Sequence, residues 1–260
     1  MTVSSVKTSK CELNYAKCRS GAKNLIIMPG LSLKSILENA SSVEAAYAEA
    51  DGEYTIYLFE YPAVCPEDGT IGFIADAVAE ALVLLGLKEC RFFGASFGGM
   101  VGQVILAKHP ELFSAAVFAS TVARMTEPSP DAMRRWNALA AKANVRELNR
   151  CFFDAVYSAA YLKEYETPIR NALDNGNEDD CRLMTVLTGA ILNADLREYD
   201  KKIKTPLLLV ASDEDNVFSF EDISETARLS GGDMYVRHGY SHAVFDEDPD
   251  FRRRMFDFFA

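Results

Sequence analysis

A serine flanked by glycines two residues away on either side, Gly94-Ala95-Ser96-Phe97-Gly98, constrains this chain more than any other stretch in it. A β-prone apolar run, Arg91-Phe92-Phe93, leads into it, and residues 100–107 carry apolar side chains over the length of a helix. Strand, sharp turn and helix are the setting that a G-x-S-x-G elbow requires. The spacing has a steric cause. A serine at the apex of so tight a turn sits in strained backbone, and side chains at positions 94 and 98 would strike the strand and the helix, so both are glycine. The turn lifts the Ser96 hydroxyl clear of the sheet, and the helix after it aims free N–H groups at whatever attaches there.

Around the elbow, strand and helix patterns alternate. Residues 24–30, Asn-Leu-Ile-Ile-Met-Pro-Gly, form a continuous apolar run closed by Pro-Gly, which predicts a buried parallel strand and a turn. A helix is expected over 32–50, capped by Ser32 or Ser35, then a strand over 54–59 and a helix over 70–87. After the elbow and its helix, a further strand is expected over 113–119. Such alternation predicts an α/β fold, a mostly parallel sheet with helices on both faces. Ligands of such sheets bind at the carboxyl ends of the strands, where Gly30, Ser96 and Ser120 would lie. Residues 1–23 are polar with scattered apolar positions and supply at most one or two edge strands.

Between residues 123 and 200 the alternation stops. A turn and cap at 128–131 precede four helical stretches, 132–144, 145–161, 168–173 and 179–192, with no β-type run among them. We therefore expect a core of residues 1–122 and 201–260 interrupted by a helical lid over 123–200. Trp136, Phe152, Tyr157 and Met184 are its candidate pocket walls, with Cys151, Phe153 and Tyr161 beside them. The sheet resumes at 207–210, a helix is expected over 221–229, a last strand over 234–237 and a closing helix over 249–259.

Composition bounds the function. With 260 residues, 49% of them hydrophobic, the chain can bury one sizeable core. A formal net charge of −11 argues against nucleic acid or an anionic membrane surface as partner. The first fifteen residues lack the apolar centre of a signal peptide and no run approaches a membrane span, so a cytoplasmic location is expected. Six cysteines form no C-x-x-C pair, which reads as reduced thiols, and three histidines leave little for a metal site.

The run Ser96-Phe97-Gly98-Gly99-Met100-Val101-Gly102 resembles the elbow of the α/β-hydrolase superfamily, most of all its small lid-bearing esterases, enol-lactonases and carbon–carbon hydrolases. The resemblance implies an acid after a later strand and a histidine near the C-terminus, in that order. Ser212-Asp213-Glu214-Asp215-Asn216 follows the 207–210 strand, and the superfamily's G-x-x-D pattern, with Ser212 for the glycine, puts the acid at Asp215; Asp213 and Glu214 are its neighbouring alternatives. His238-Gly239-Tyr240-Ser241-His242 precedes an acidic-Pro-x-Phe run that opens the last helix, and His242 matches the pattern while His238 sits too near the strand. His109, in Lys108-His109-Pro110, reads as a helix end.

The resemblance further implies an oxyanion hole made by the backbone N–H groups of Phe97 and Leu31. Met28-Pro29 stands where the superfamily commonly has histidine, which leaves the shape of that loop open. His242 would take the Ser96 proton, Asp215 would hold the imidazole, and an acyl-enzyme on Ser96 would be released by water, with no metal or organic cofactor. The expected substrate is a small, mainly apolar carboxylic ester, lactone or thioester. Carbon–carbon hydrolysis with the same triad is the alternative within the class, and a non-catalytic small-molecule binding protein on the same fold is the alternative outside it. Lid helices of such proteins often meet across a dimer interface, so the resemblance also carries the expectation of a homodimer.

Overall fold

In the computed structural model, which describes residues 1–50, 52–126 and 131–260, eight strands form one sheet in the order β1-β2-β4-β3-β5-β6-β7-β8. The strands are β1 (Thr2–Lys7), β2 (Glu12–Cys18), β3 (Lys23–Met28), β4 (Tyr54–Phe59), β5 (Cys90–Ala95), β6 (Phe113–Ala119), β7 (Leu207–Ser212) and β8 (Asp233–Arg237). β1 pairs antiparallel with β2, and β2 antiparallel with β4, while every pairing from β4 to β8 is parallel. The polar N-terminal residues thus supply two edge strands.

Twelve helices surround the sheet among the described residues: α1 (Ala40–Ala46), α2 (Thr70–Leu84), α3 (Phe97–Lys108), α4 (Ala132–Ala140), α5 (Val145–Val156), α6 (Ala159–Glu164), α7 (Glu166–Ala172), α8 (Glu178–Leu192), α9 (Arg197–Asp200), α10 (Phe220–Ser230), α11 (Val244–Glu247) and α12 (Phe251–Phe259). The expected helix over 32–50 forms instead as a 3₁₀ turn at Ile36–Asn39, the short α1, and another 3₁₀ turn at Ala48–Ala50. The stretch 145–161 breaks in two because Tyr157 is extended (φ −113°, ψ 150°) and Ser158 caps a new helix by accepting from the Tyr161 N–H. The expected turn at 128–131 lies, but for Asp131, outside the described residues.

Successive residues of the central strands face opposite sides, as the period of a strand demands. Ile26, Met28 and Phe92 join one buried cluster with α2, α3 and the helices between β6 and β7. Leu25, Ile27 and Phe93 join a second cluster with α1 and α12. Both faces are therefore covered, which is why the parallel strands read as unbroken apolar runs. The register places Met28 beside Gly94, Ala95 beside Ala119 and Ala119 beside Val210, so β3, β5, β6 and β7 end along one edge. No helix among the described residues is long and apolar enough to cross a membrane.

Candidate active site

Ser96 stands between β5 and α3 at that edge, with φ 50° and ψ −115°, the strain the elbow spacing implies. The glycines around it are dictated by contact. A Cβ on Gly94 would lie 2.7 Å from the carbonyl oxygen of Gly98, and one on Gly98 would lie 2.1 Å from the carbonyl oxygen of Met28. The turn is braced from its far side: the Ser96 N–H donates to the Ala119 carbonyl at 2.8 Å, and the Thr121 hydroxyl donates to the Ser96 carbonyl at 2.7 Å.

The acidic loop after β7 resolves its three carboxylates by geometry. Asp215 Oδ1 accepts the backbone N–H groups of Val217 (2.8 Å) and Phe218 (2.9 Å), which leaves Oδ2 turned to His242 Nδ1 at 2.8 Å. Asp213 reaches the exposed His238 instead, at 2.7 Å, and the Glu214 backbone N–H donates to the Ser212 hydroxyl. His242 Nε2 then lies 2.9 Å from Ser96 Oγ. Because an ionised carboxylate only accepts, the contact to Asp215 assigns the proton to Nδ1 and leaves Nε2 free to accept from the serine. Asp215 and His242 side chains are 1% and 4% exposed, so this chain of bonds is shielded from competing water. His109, at the end of α3, lies 3.5 Å from Glu111 and away from this constellation.

Several neighbours hold the histidine in place. The Phe218 ring meets the imidazole edge-on at 5.3 Å. On one side of His242 the Ser241 hydroxyl donates to the Ala155 carbonyl at 3.2 Å, and on the other the Ala243 N–H donates to the Val156 carbonyl at 2.9 Å. Both acceptors lie on α5.

After β3 the chain passes directly over the serine, since a Cβ on Gly30 would lie 3.4 Å from Ser96 Cβ. Leu31 follows and lines the cavity. Phe97 is the first residue of α3, so its N–H has no acceptor within the helix. The loop is tied down from the residues just past β4: the Tyr61 phenol donates to the Pro29 carbonyl, and the Ser35 hydroxyl donates to Glu60. Burial pushes the Glu60 carboxyl upward, while Ser35 and the Tyr61 N–H pull it back down.

A cavity of about 700 Å³ opens from Ser96 and His242 toward the helices between β6 and β7. Trp136, Phe152 and Tyr157 line it, as do Phe153 and Tyr161. Met184 does not. It is buried on α8, which packs against α4, so its thioether fills the interior of the helical layer rather than the cavity wall. Cys151 is likewise absent from the wall. The aromatic wall continues past the expected residues: Tyr157 stacks on Tyr161 at 4.5 Å and Tyr161 on Tyr165 at 4.4 Å. Tyr61 and Arg252 had no signal in motif or periodicity, although the position of Tyr61 just past a buried strand was legible as the binding edge; Asp246 begins the acidic run that follows His242, which gave it no role of its own.

Fold and family place the chain in the α/β-hydrolase superfamily, as a hydrolase. Residues 74–249 match the family model described as "Serine aminopeptidase, S33". A protein of Serratia proteamaculans (strain 568) that bears the name "Putative carbamate hydrolase RutD" is 23% identical over 247 residues, covering 90% of this chain and 91% of its own. Among solved structures, the enol-lactonase from Burkholderia xenovorans LB400 superposes with a TM-score of 0.83 at 19% identity, covering 98% of this chain and 99% of its own. The α/β hydrolase MGS-M2 from a Medee basin deep-sea metagenome library superposes with a TM-score of 0.85 at 18% identity, covering 98% and 97%. These structural likenesses speak to the fold.

Proposed function

We propose that the protein is a serine hydrolase that cleaves a small, mainly apolar carboxylic ester, lactone or thioester through an acyl-enzyme on Ser96. The observation that carries this reading is the unbroken chain from Ser96 Oγ to His242 Nε2 (2.9 Å) and from His242 Nδ1 to Asp215 Oδ2 (2.8 Å). His242 accepts the serine proton as Oγ attacks the carbonyl carbon. Asp215 fixes the imidazole tautomer and balances the imidazolium that forms. The Phe97 and Leu31 N–H groups, beside the serine at the start of α3 and in the loop after β3, receive the negative charge that grows on the carbonyl oxygen. His242 returns its proton to the leaving group, then activates the water that releases the acyl group.

The substrate class follows from the walls. An aromatic cavity beside the serine favours an apolar acyl or leaving group. The carbamate named for the RutD relatives also presents a carbonyl to such a serine, so carbamates belong in the same substrate panel. Residues 123–200, helical throughout their regular elements and supplying Trp136, Phe152 and Tyr157, act in this reading as a lid on a core of 1–122 and 201–260. Six unpaired cysteines suit a reducing compartment such as the cytoplasm.

The test is labelling with a fluorophosphonate probe of the wild type, Ser96→Ala and His242→Ala. Labelling that both substitutions abolish, in variants with wild-type melts, is the expected result. A folded wild type that resists the probe and turns over no ester, lactone, thioester or carbamate would overturn the reading and favour a binding protein.

A further inference from the structure

A second polar centre faces the cavity, apart from the serine and its partners. Asp246, on α11, lines it, and so do Arg252, on α12, and Tyr47. The Asp246 side chain keeps 38% of its surface open, and its two polar contacts are long: 3.4 Å from the Tyr157 phenol and 3.5 Å from Arg252 Nη2. A charge-assisted hydrogen bond to a carboxylate is about 2.7–2.9 Å. Neither contact therefore satisfies the carboxylate. Crowding by the surrounding protein pushes its carboxyl upward, with Arg252 opposing that shift. Arg252 is steadied by the Tyr47 ring, 5.3 Å from its guanidinium carbon, while its Nε is buried without a partner.

An under-bonded acceptor thus stands beside an under-bonded donor in the wall of a cavity that Trp136, Phe152 and Tyr157 also line. Polar groups that are part-covered by protein and lack close partners keep hydrogen-bonding capacity that a complementary ligand can take up. The pair carries no net charge, so a ligand group with a full charge would match one member and be repelled by the other. A planar group with a donor and an acceptor side by side matches both.

We infer that Asp246 and Arg252 form a subsite for a neutral donor–acceptor group of the substrate, a carboxamide or ureido function, with N–H donated to Asp246 and C=O accepting from Arg252. This rests on the reading of Ser96 as the nucleophile, and it refines the substrate class: a hydrolysable carbonyl at one end, an apolar middle against the aromatic wall, and an amide-like group at the other. Asp246 and Arg252 are binding residues here and take no part in the bond-breaking steps.

The test compares 4-nitrophenyl esters whose acyl chains end in a carboxamide, a methyl, a carboxylate or an ammonium group, each at several spacer lengths. At the best-fitting length the carboxamide ester is expected to exceed its methyl counterpart in kcat/KM by about tenfold, since a site built for hydrogen bonding rejects an analogue that lacks them. In Asp246→Ala and Arg252→Ala that ratio should fall towards one. Fluorophosphonate labelling of each variant shows that Ser96 remains activated: a wild type that neither labels nor turns over any ester would strike the hydrolase reading and the subsite with it, whereas a wild type that labels and turns over ester leaves the ratio to judge the subsite alone. No carboxamide preference at any length, a preference for the carboxylate or the ammonium ester, or a preference that survives both substitutions would overturn the inference.

Discussion

The Tyr61 phenol donates to the carbonyl of Pro29 while its ring packs against Phe97, 5.1 Å away at 66°. One side chain therefore touches both stretches whose N–H groups are proposed to receive the oxyanion. The bond holds the Pro29 carbonyl to one side and so orients the peptide groups of Gly30 and Leu31 behind it. Tyr61→Phe keeps the ring packing and removes that tether. We expect kcat to fall by about tenfold, less than the loss of an oxyanion donor itself, with KM little changed. Steady-state kinetics on a chromogenic ester decide this, and equal kcat would show that the loop holds its shape unaided.

Asp215→Asn should be far more damaging. The asparagine oxygen can still accept from Val217 and Phe218, but the amide nitrogen then faces His242 Nδ1. Two donors cannot share that contact, so the imidazole is driven to the tautomer with its proton on Nε2, which cannot accept from Ser96. A fall in kcat of about 10³–10⁴ is expected with an unchanged melt, as for other triads of this design. Retained activity would exclude the role proposed for Asp215.

Two glycines should respond to alanine to very different degrees. Gly98 has no room, since its Cβ would lie 2.1 Å from the Met28 carbonyl oxygen, backbone against backbone. Gly239 has φ +81° and nothing within 4 Å of the place a Cβ would take, so its cost is conformational only. Gly98→Ala is expected to give little folded protein, and Gly239→Ala to lose about 1–2 kcal/mol. Soluble yield and denaturant melts compare them.

Asp200 supplies a pH signature outside the site. Its carboxyl is fully buried on α9 with neither oxygen hydrogen-bonded, and burial pushes it up to about 8. The folded state therefore holds a proton that the unfolded chain releases near pH 4, so this group's contribution is complete below about pH 4 and is lost as pH rises through about 8. Asp200→Asn keeps the shape without the proton. Its melting temperature should gain on the wild type as pH rises from about 5 to about 9, and parallel pH profiles would refute the assignment.

Ser96, Asp215 and His242, the proposed nucleophile, acid and base, were legible as candidates because each follows the end of a strand, and strand ends are marked by apolar runs meeting glycine or acidic turns. Choosing Asp215 over Asp213 needed the superfamily pattern, and the geometry shows its local cause: Asp215 is the carboxylate that the Val217 and Phe218 N–H groups capture. The helical layer was legible in outline only. Tyr157 continues the helical apolar spacing in sequence, yet its extended backbone ends α5, and no local residue announces the break. Met184 and Trp136 carry the same helical signature, and only packing decides that one fills the layer and the other faces the cavity. Tyr61 meets Pro29 and Phe97, Asp246 meets Tyr157 and Arg252 meets Tyr47, contacts distant in sequence to which periodicity is blind.

The bonds from Ser241 and Ala243 to the carbonyls of Ala155 and Val156 make α5 a splint for His242, the proposed general base. Engineers who hope to change selectivity by grafting another hydrolase's helices in place of residues 123–200 would be exchanging that splint along with the walls. A transplant that seats its new aromatic side chains well but lacks two carbonyls at these positions would accept its substrate and leave it unreacted. Selectivity and turnover in this fold are therefore to be evolved together, with Ala155 and Val156 fixed as backbone anchors.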